Sequence, residues 1–230
     1  MRAYQTLVDD DGYQVALFPL ESFVISQGDT ETVSHVPSRY WATDYLGYNL
    51  SGSRVYRCPC YAPVDIKCVW LNRTECMAIW ESLSEVHTPH GIEYLTLIVY
   101  HDNNISNGTL QVGTIRRQGE IFNRTGTKPD VGDHMHLETG YGRFTSPANH
   151  YHIENSGGVH RLHNYDALYI NDTIPRHTSY YPTQYPWVEF QGGHPTPVIN
   201  PKYKFKWVLY ANKLRSKYWQ FTSFLLYIIW

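Results

Sequence analysis

The chain has 230 residues, of which 42% are hydrophobic and only 17% charged, against about 25% charged in ordinary soluble domains. An aromatic content of 15%, including 20 tyrosines, excludes a mainly disordered chain, and the length suits one large domain or a domain with a small appendage. Nineteen basic against 21 acidic side chains leave no global field to hold a phosphate backbone, so no nucleic-acid partner is expected. In chain order, Gln14 to Phe18, Arg54 to Tyr56, Ile66 to Leu71, Met77 to Trp80 and Tyr94 to Tyr100 are short runs rich in Val, Ile, Tyr and Trp. They are bounded by turn formers such as Asp10-Asp11-Gly12, Ser51-Gly52-Ser53, Asn107-Gly108 and Val131-Gly132-Asp133, which is the pattern of strands between tight turns. No stretch sustains a 3.6-residue apolar period, so long helices are not expected. The fold expected is mainly β, an antiparallel sheet over residues 1–175, followed by a loop-rich extension over 176–230.

Composition shifts after residue 140 towards Tyr, His, Asn, Pro and Gly. Tyr180 to Pro186 reads as an extended connector, because each proline removes a ladder donor. Lys204 to Tyr210 and Gln220 to Trp230 read as strands again, either completing the first sheet or forming a small terminal module. From Gln191 onward there are six basic residues and no acidic ones, a positive tail that suits an anionic surface partner or simple solvation. The closing run Phe224 to Trp230 is far shorter than the roughly 20 residues a membrane span needs, and Met1 to Asp11 has no apolar segment of a signal peptide. Four cysteines, Cys58, Cys60, Cys68 and Cys76, lack zinc-knuckle spacing and read as buried reduced thiols.

The chemistry gathers in the histidines. In Gly132-Asp133-His134-Met135-His136-Leu137-Glu138, residues two apart on a strand share a face, so His134 and His136 project together. They can serve as two metal ligands, or as one ligand and one acid–base group. Upstream, His35 is followed by Ala42-Thr43-Asp44, and His101 ends the apolar run Tyr94 to Tyr100. Two His and one Asp with an open fourth position is a ligand set suited to hydrolytic zinc.

The order Ser34-His35, Ala42-Thr43-Asp44, Tyr61-Ala62-Pro63, Tyr100-His101 and Gly132-x-His134-x-His136-x-Glu138 resembles the lysostaphin/LytM family of zinc endopeptidases, especially phage endolysins and tail-associated wall hydrolases. The resemblance covers roughly residues 20–140 and includes Ile25-Ser26-Gln27-Gly28 and Gly113-Thr114-Ile115 with Gln118-Gly119-Glu120. It implies Zn2+ as cofactor, with His35, Asp44 and His136 as ligands and His101 and His134 as the catalytic pair. The implied partner is bacterial peptidoglycan, cut in its stem or cross-bridge by a phage lysin held in the host cytoplasm or in a virion. Two departures stand out. The family's common spacing would put the first ligand at position 40, which is Tyr40, whereas eight residues separate His35 from Asp44; and Ile66 stands where a turn glycine is usual.

Other readings remain beside this one. A catalytically silent wall-binding or virion structural module on the same fold would keep the frame without the chemistry. A cupin-like metal enzyme also uses His-x-His, but wants its Glu further along than Glu138. Glu138 and Asp102 suit either orientation of histidines from behind or a solvated face. His150, His152, His160 and His163 read as loop residues that could line a groove with Tyr141, Tyr151 and Tyr165. The run Asp9-Asp10-Asp11 reads as a solvated turn.

Overall fold

A computed structural model describes residues 7–28, 35, 41–129, 131–146, 157–170 and 178–183. Its main sheet contains β1 (Ser22–Gln27), β2 (Thr43–Tyr48), β4 (Ile66–Asn72), β5 (Met77–Ser82), β8 (Leu95–Tyr100), β9 (Ile115–Arg116), β11 (Met135–Ser146), β12 (Gly157–Leu162) and β13 (Tyr180–Pro182). The strand order is β13-β1-β2-β11-β8-β5-β4-β9, with β12 also paired to β11, and every pairing is antiparallel. Two small sheets pair β3 (Pro59–Tyr61) with β10 (Ile121–Arg124), and β6 (Val86–His87) with β7 (Ile92–Glu93). The described helices, α1 (Asn103–Ser106) and α2 (Asn164–Ala167), are single turns. The protein is mainly antiparallel β, as the turn-punctuated sequence implies. Among the described residues no helix is long and apolar enough to cross a membrane.

The continuous apolar runs mark the middle of this sheet. β5 is buried at every position and β8 at all but its last. Alternation disappears because both faces are covered. Ala78, Trp80, Leu95, Leu97 and Val99 join the main core with Phe18, Phe23 and Tyr45, while Met77, Ile79 and Ile98 join a second cluster with Val159. A strand buried on both faces reads as an unbroken hydrophobic run.

Two expected strands are not strands. Gln14 to Phe18 is an extended strap touching the rest of the chain through isolated bridges, such as Val15 to His87 and Leu17 to Tyr169. Its amides bond in turn to the carbonyls of Leu7, His87, Pro63 and Tyr169, which belong to different segments, so no ladder builds up. Arg54 to Tyr56 makes one bridge to Tyr48 and then reverses at Arg57, whose φ is +54°. Conversely, β11 runs on to Ser146, well past Glu138, because β12 folds back on it.

Tyr180–Pro182 pairs with β1 through Ser22, Phe23 and Val24. Pro182 therefore sits on an edge strand, where its missing N–H costs no ladder bond. The segments 204–210 and 220–230 lie outside the described residues. All four cysteines are buried and free, and Asp9 is no solvated turn residue: its Oδ2 meets His87 Nδ1 at 2.6 Å while Oδ1 accepts from the amides of Asp11 and Tyr13.

What the sheet does for the site is to align one row of residues. β11 lies between β2 and β8, and its His136 is opposite Asp44 on one side and Tyr100 on the other.

Candidate metal centre

Three side chains meet at this row. Asp44 from β2 and His136 from β11 are cross-strand partners, and His136 Nδ1 lies 3.1 Å from Asp44 Oδ1. His35 reaches the same oxygen from outside the sheet, with Nε2 at 3.5 Å. The long gap between His35 and Asp44 therefore does not keep them apart, whereas Tyr40 lies outside the described residues. Among the described residues, the group of His, Cys, Asp and Glu side chains able to hold a metal ion is His35, Asp44 and His136, with ligand atoms within 4.8 Å of one another.

Proton positions follow from the acceptors. His35 Nδ1 lies 2.9 Å from the Gly28 carbonyl; a carbonyl only accepts, so Nδ1 carries the hydrogen and a neutral ring turns a lone pair at Nε2 towards Asp44. His136 Nε2 donates to Glu138 Oε1 at 3.2 Å, which leaves Nδ1 to face Asp44. Asp44 Oδ1 is buried and makes no well-directed hydrogen bond. Two ring nitrogens and one carboxylate oxygen thus turn lone pairs on one point, an arrangement a cation satisfies. Donors around a tetrahedral zinc sit roughly 3.4 Å apart, close to the separations at Asp44, so the residues fit such an ion.

The charges agree. Burial by itself would raise the Asp44 carboxyl, but the His136 and His35 rings set against it outweigh burial and hold it well below the usual carboxylate range. Burial would lower His136, but the Asp44 and Glu138 carboxylates outweigh it and push the ring up to about 9. Without a metal, a second proton on His136 supplies the missing positive charge.

The other two predicted residues stand beside this group. His101 follows β8 and His134 precedes β11; their ring centroids are 4.3 Å apart, and His134 Nε2 is 3.6 Å from Asp44 Oδ2. His101 Nδ1 donates to the Lys128 carbonyl (2.7 Å) and His134 Nδ1 to the Gly132 carbonyl (2.6 Å). Each neutral ring is thereby held with Nε2 as its free base. Burial and the neighbouring His134 and His136 push His101 down to about 4, so it is neutral at pH 7.

All five predicted residues are therefore brought together, and Glu138 and Asp102 are not on a solvated face. Each is 2% exposed: Glu138 supports His136, and Asp102 caps α1 by accepting from the Asn104 amide. His160 and His163 stand apart from the metal group, with His160 stacked on Tyr141 and His163 on Trp41 and Tyr165. His150, His152 and Tyr151 lie outside the described residues. The acceptors at Gly28, Lys128 and Gly132 could not be found from sequence, because every residue carries a carbonyl. Arg57 and Gly126, which hold the loops of His101 and His134, also escaped notice.

No family model matches the chain. Over 128 residues, 55% of the chain, it is 31% identical to Morphogenesis protein 1 of Bacillus phage B103. The match covers 32% of that protein, so the chain spans about a third of its relative's length. Among solved structures it is similar to a zinc-containing peptidase from Vibrio cholerae, with TM-score 0.39 and 15% identity over 58% of this chain and 40% of that one. It is also similar to the antimicrobial peptidase lysostaphin from Staphylococcus simulans, with TM-score 0.40 and 12% identity over 87% of this chain and 62% of that one.

Proposed function

We propose that the chain is a zinc metallo-endopeptidase of the lysostaphin/LytM type that hydrolyses peptide bonds of bacterial peptidoglycan, in the stem or the cross-bridge, as a phage-encoded wall hydrolase. The observation that carries this reading is the convergence of His35, Asp44 and His136 on one point, with the His101–His134 pair beside it. Three protein donors and a fourth place left open is the arrangement of catalytic rather than structural zinc sites. The motif order supports a wall substrate, and the likeness to a phage morphogenesis protein supports a phage source.

Zinc held by His35 Nε2, Asp44 and His136 Nδ1 would supply Lewis-acid chemistry, polarising a peptide carbonyl and making the attacking water more acidic. This chain's own residues do the rest. Glu138 keeps the proton of His136 on Nε2 and so keeps Nδ1 available. Of His101 and His134, one accepts the water proton at Nε2 and passes it to the leaving amine nitrogen as the C–N bond breaks. The other, protonated at Nε2, donates to the tetrahedral oxyanion. Burial and its two histidine neighbours keep His101 neutral at pH 7, so its Nε2 presents a lone pair to the site.

The test is digestion of purified sacculi from several bacteria, with chelator and with zinc added back, and mass spectrometry of the peptides released. New amino and carboxyl termini that appear only with metal are expected. Binding to walls without any new terminus would overturn the reading in favour of a silent module.

A further inference from the structure

His101 and His134 come from separate loops, yet their ring centroids lie 4.3 Å apart. His101 has a φ of +78°, and His134 is bridged to the single residue Gly126. A non-glycine residue in the left-handed region persists only where its surroundings over-determine it. The surroundings that do so here meet at Arg57.

The Arg57 guanidinium grips the turn after His101 and the segment before Gly126 together. Nη2 is 3.1 Å from Asp102 Oδ1, while Nη1 donates to Asn103 Oδ1 at 2.9 Å and to the Thr125 carbonyl at 3.2 Å. The Arg57 amide donates to Asp133 Oδ2 at 3.0 Å. One residue thus holds both the neighbour of His101 and the neighbour of His134. Gly126 lies between the two loops. It exchanges both backbone hydrogen bonds with His134, at 2.9 and 3.1 Å, and a Cβ placed on it would come within 1.8 Å of the His101 carbonyl oxygen. Thr125 Oγ1 closes the ring by donating to Asp133 Oδ1 at 2.8 Å. Arg57 is itself left-handed, with a φ of +54°.

We propose that Arg57 is the positioning residue of the His101–His134 pair, its guanidinium setting the separation and aim of both rings through Asp102 on one side and through Thr125, which bonds to Asp133 and precedes Gly126, on the other. This rests on the peptidase reading above for its consequence in catalysis, though not for its geometry. Arg57 acts through its neighbours and not on substrate. The planar fork matters, because an ammonium group is a point charge that cannot span Asp102, Asn103 and the Thr125 carbonyl in one plane.

The test compares the zinc-loaded full chain with Arg57→Ala and Arg57→Lys on a soluble wall-derived peptide. A misplacement of about 1 Å can cost on the order of 10²-fold in rate, so kcat should fall by about that factor in both variants with KM little changed. Millimolar guanidinium should restore part of the kcat of Arg57→Ala and none of that of Arg57→Lys. Long-range 1H–15N spectra of the imidazoles provide a readout without turnover: His101 and His134 should lose their single Nδ1–H forms in both variants. If the wild-type chain cleaves nothing, the peptidase reading fails and these spectra still decide the positioning role. Should Arg57→Ala fail to fold, Asp102→Asn breaks the same ion pair and keeps an oxygen for the cap; the same loss of kcat and of imidazole order is expected. Imidazole spectra and kcat per folded molecule equal to wild type in the variants that fold would overturn the proposal.

Discussion

Nδ1 of His136 lies 3.1 Å from Oδ1 of Asp44, directly across the β2–β11 pair, and Nε2 of the same ring donates to Glu138 at 3.2 Å. One imidazole is spanned by two buried carboxylates of opposite duty. Asp44 shares with His136 the point where a cation fits, and Glu138 fixes which nitrogen of the ring faces it.

Asp44→Ala should remove the shared oxygen of the metal group. The variant is expected to lose zinc on dialysis and to release no wall peptides, while its far-ultraviolet circular dichroism stays that of a β protein. Zinc added back to the chelated wild type should raise its melting temperature, because a ligand that binds only the folded state stabilises it. Metal analysis and thermal scans check both.

Glu138→Gln keeps an acceptor for His136 Nε2 but removes the charge, and Glu138→Ala removes both. Loss of a carboxylate behind a metal-binding histidine typically costs about 10–100-fold in metal affinity. Competition with a zinc-chelating dye should give a larger loss for the alanine variant than for the glutamine variant.

Gly126→Ala would place a Cβ 1.8 Å from the His101 carbonyl oxygen and 2.6 Å from its carbon. Both are backbone atoms, so no side chain can swing aside. Overpacking of this kind costs about 1–3 kcal/mol, measurable by urea denaturation. The displacement of His101 should also lower kcat, whereas alanine at Gly91, where nothing lies within 4 Å of the added carbon, should leave both unchanged.

Asn164 is buried beneath β11. Its amide donates to Tyr45 Oη at 2.9 Å and to the Leu137 carbonyl at 3.1 Å, and its Oδ1 accepts from Thr139 Oγ1 at 2.8 Å. Asn164→Ala leaves buried polar atoms without this partner, at about 1–3 kcal/mol for an unsatisfied group. A lower urea midpoint at unchanged m-value is the expected result.

The buried thiols make stability fall in alkali. Burial pushes Cys58 up to about 11 and Cys68 up to about 12, and raises Cys60 as well. An unfolded thiol titrates near 8.5. Above that pH the unfolded chain has released protons that the folded one retains, so each such thiol lowers stability as pH rises towards its folded value. Denaturation at pH 7.5 and 10 should show the loss, and replacing Cys58 and Cys68 by alanine should flatten the difference. Native thiols should also resist alkylation at pH 8, because the thiolate is the reactive form.

From residue order alone, the mainly β architecture and the two central strands around Met77–Trp80 and Leu95–Tyr100 were readable, because burial on both faces leaves an unbroken apolar run. The order of His35, Asp44, His101, His134 and His136 singled them out as candidates. That His134 and His136 share a face follows from the two-residue period of a strand. Only the tertiary structure decided that Asp44 and His136 are cross-strand partners and that His35 reaches them across eight intervening residues. Pairing register and loop path are set by long-range packing, which leaves no local periodic signal. The same holds for Arg57: its role comes from the residues 45 to 76 positions away that the fold lays around its backbone and guanidinium, and no spacing in the sequence records them.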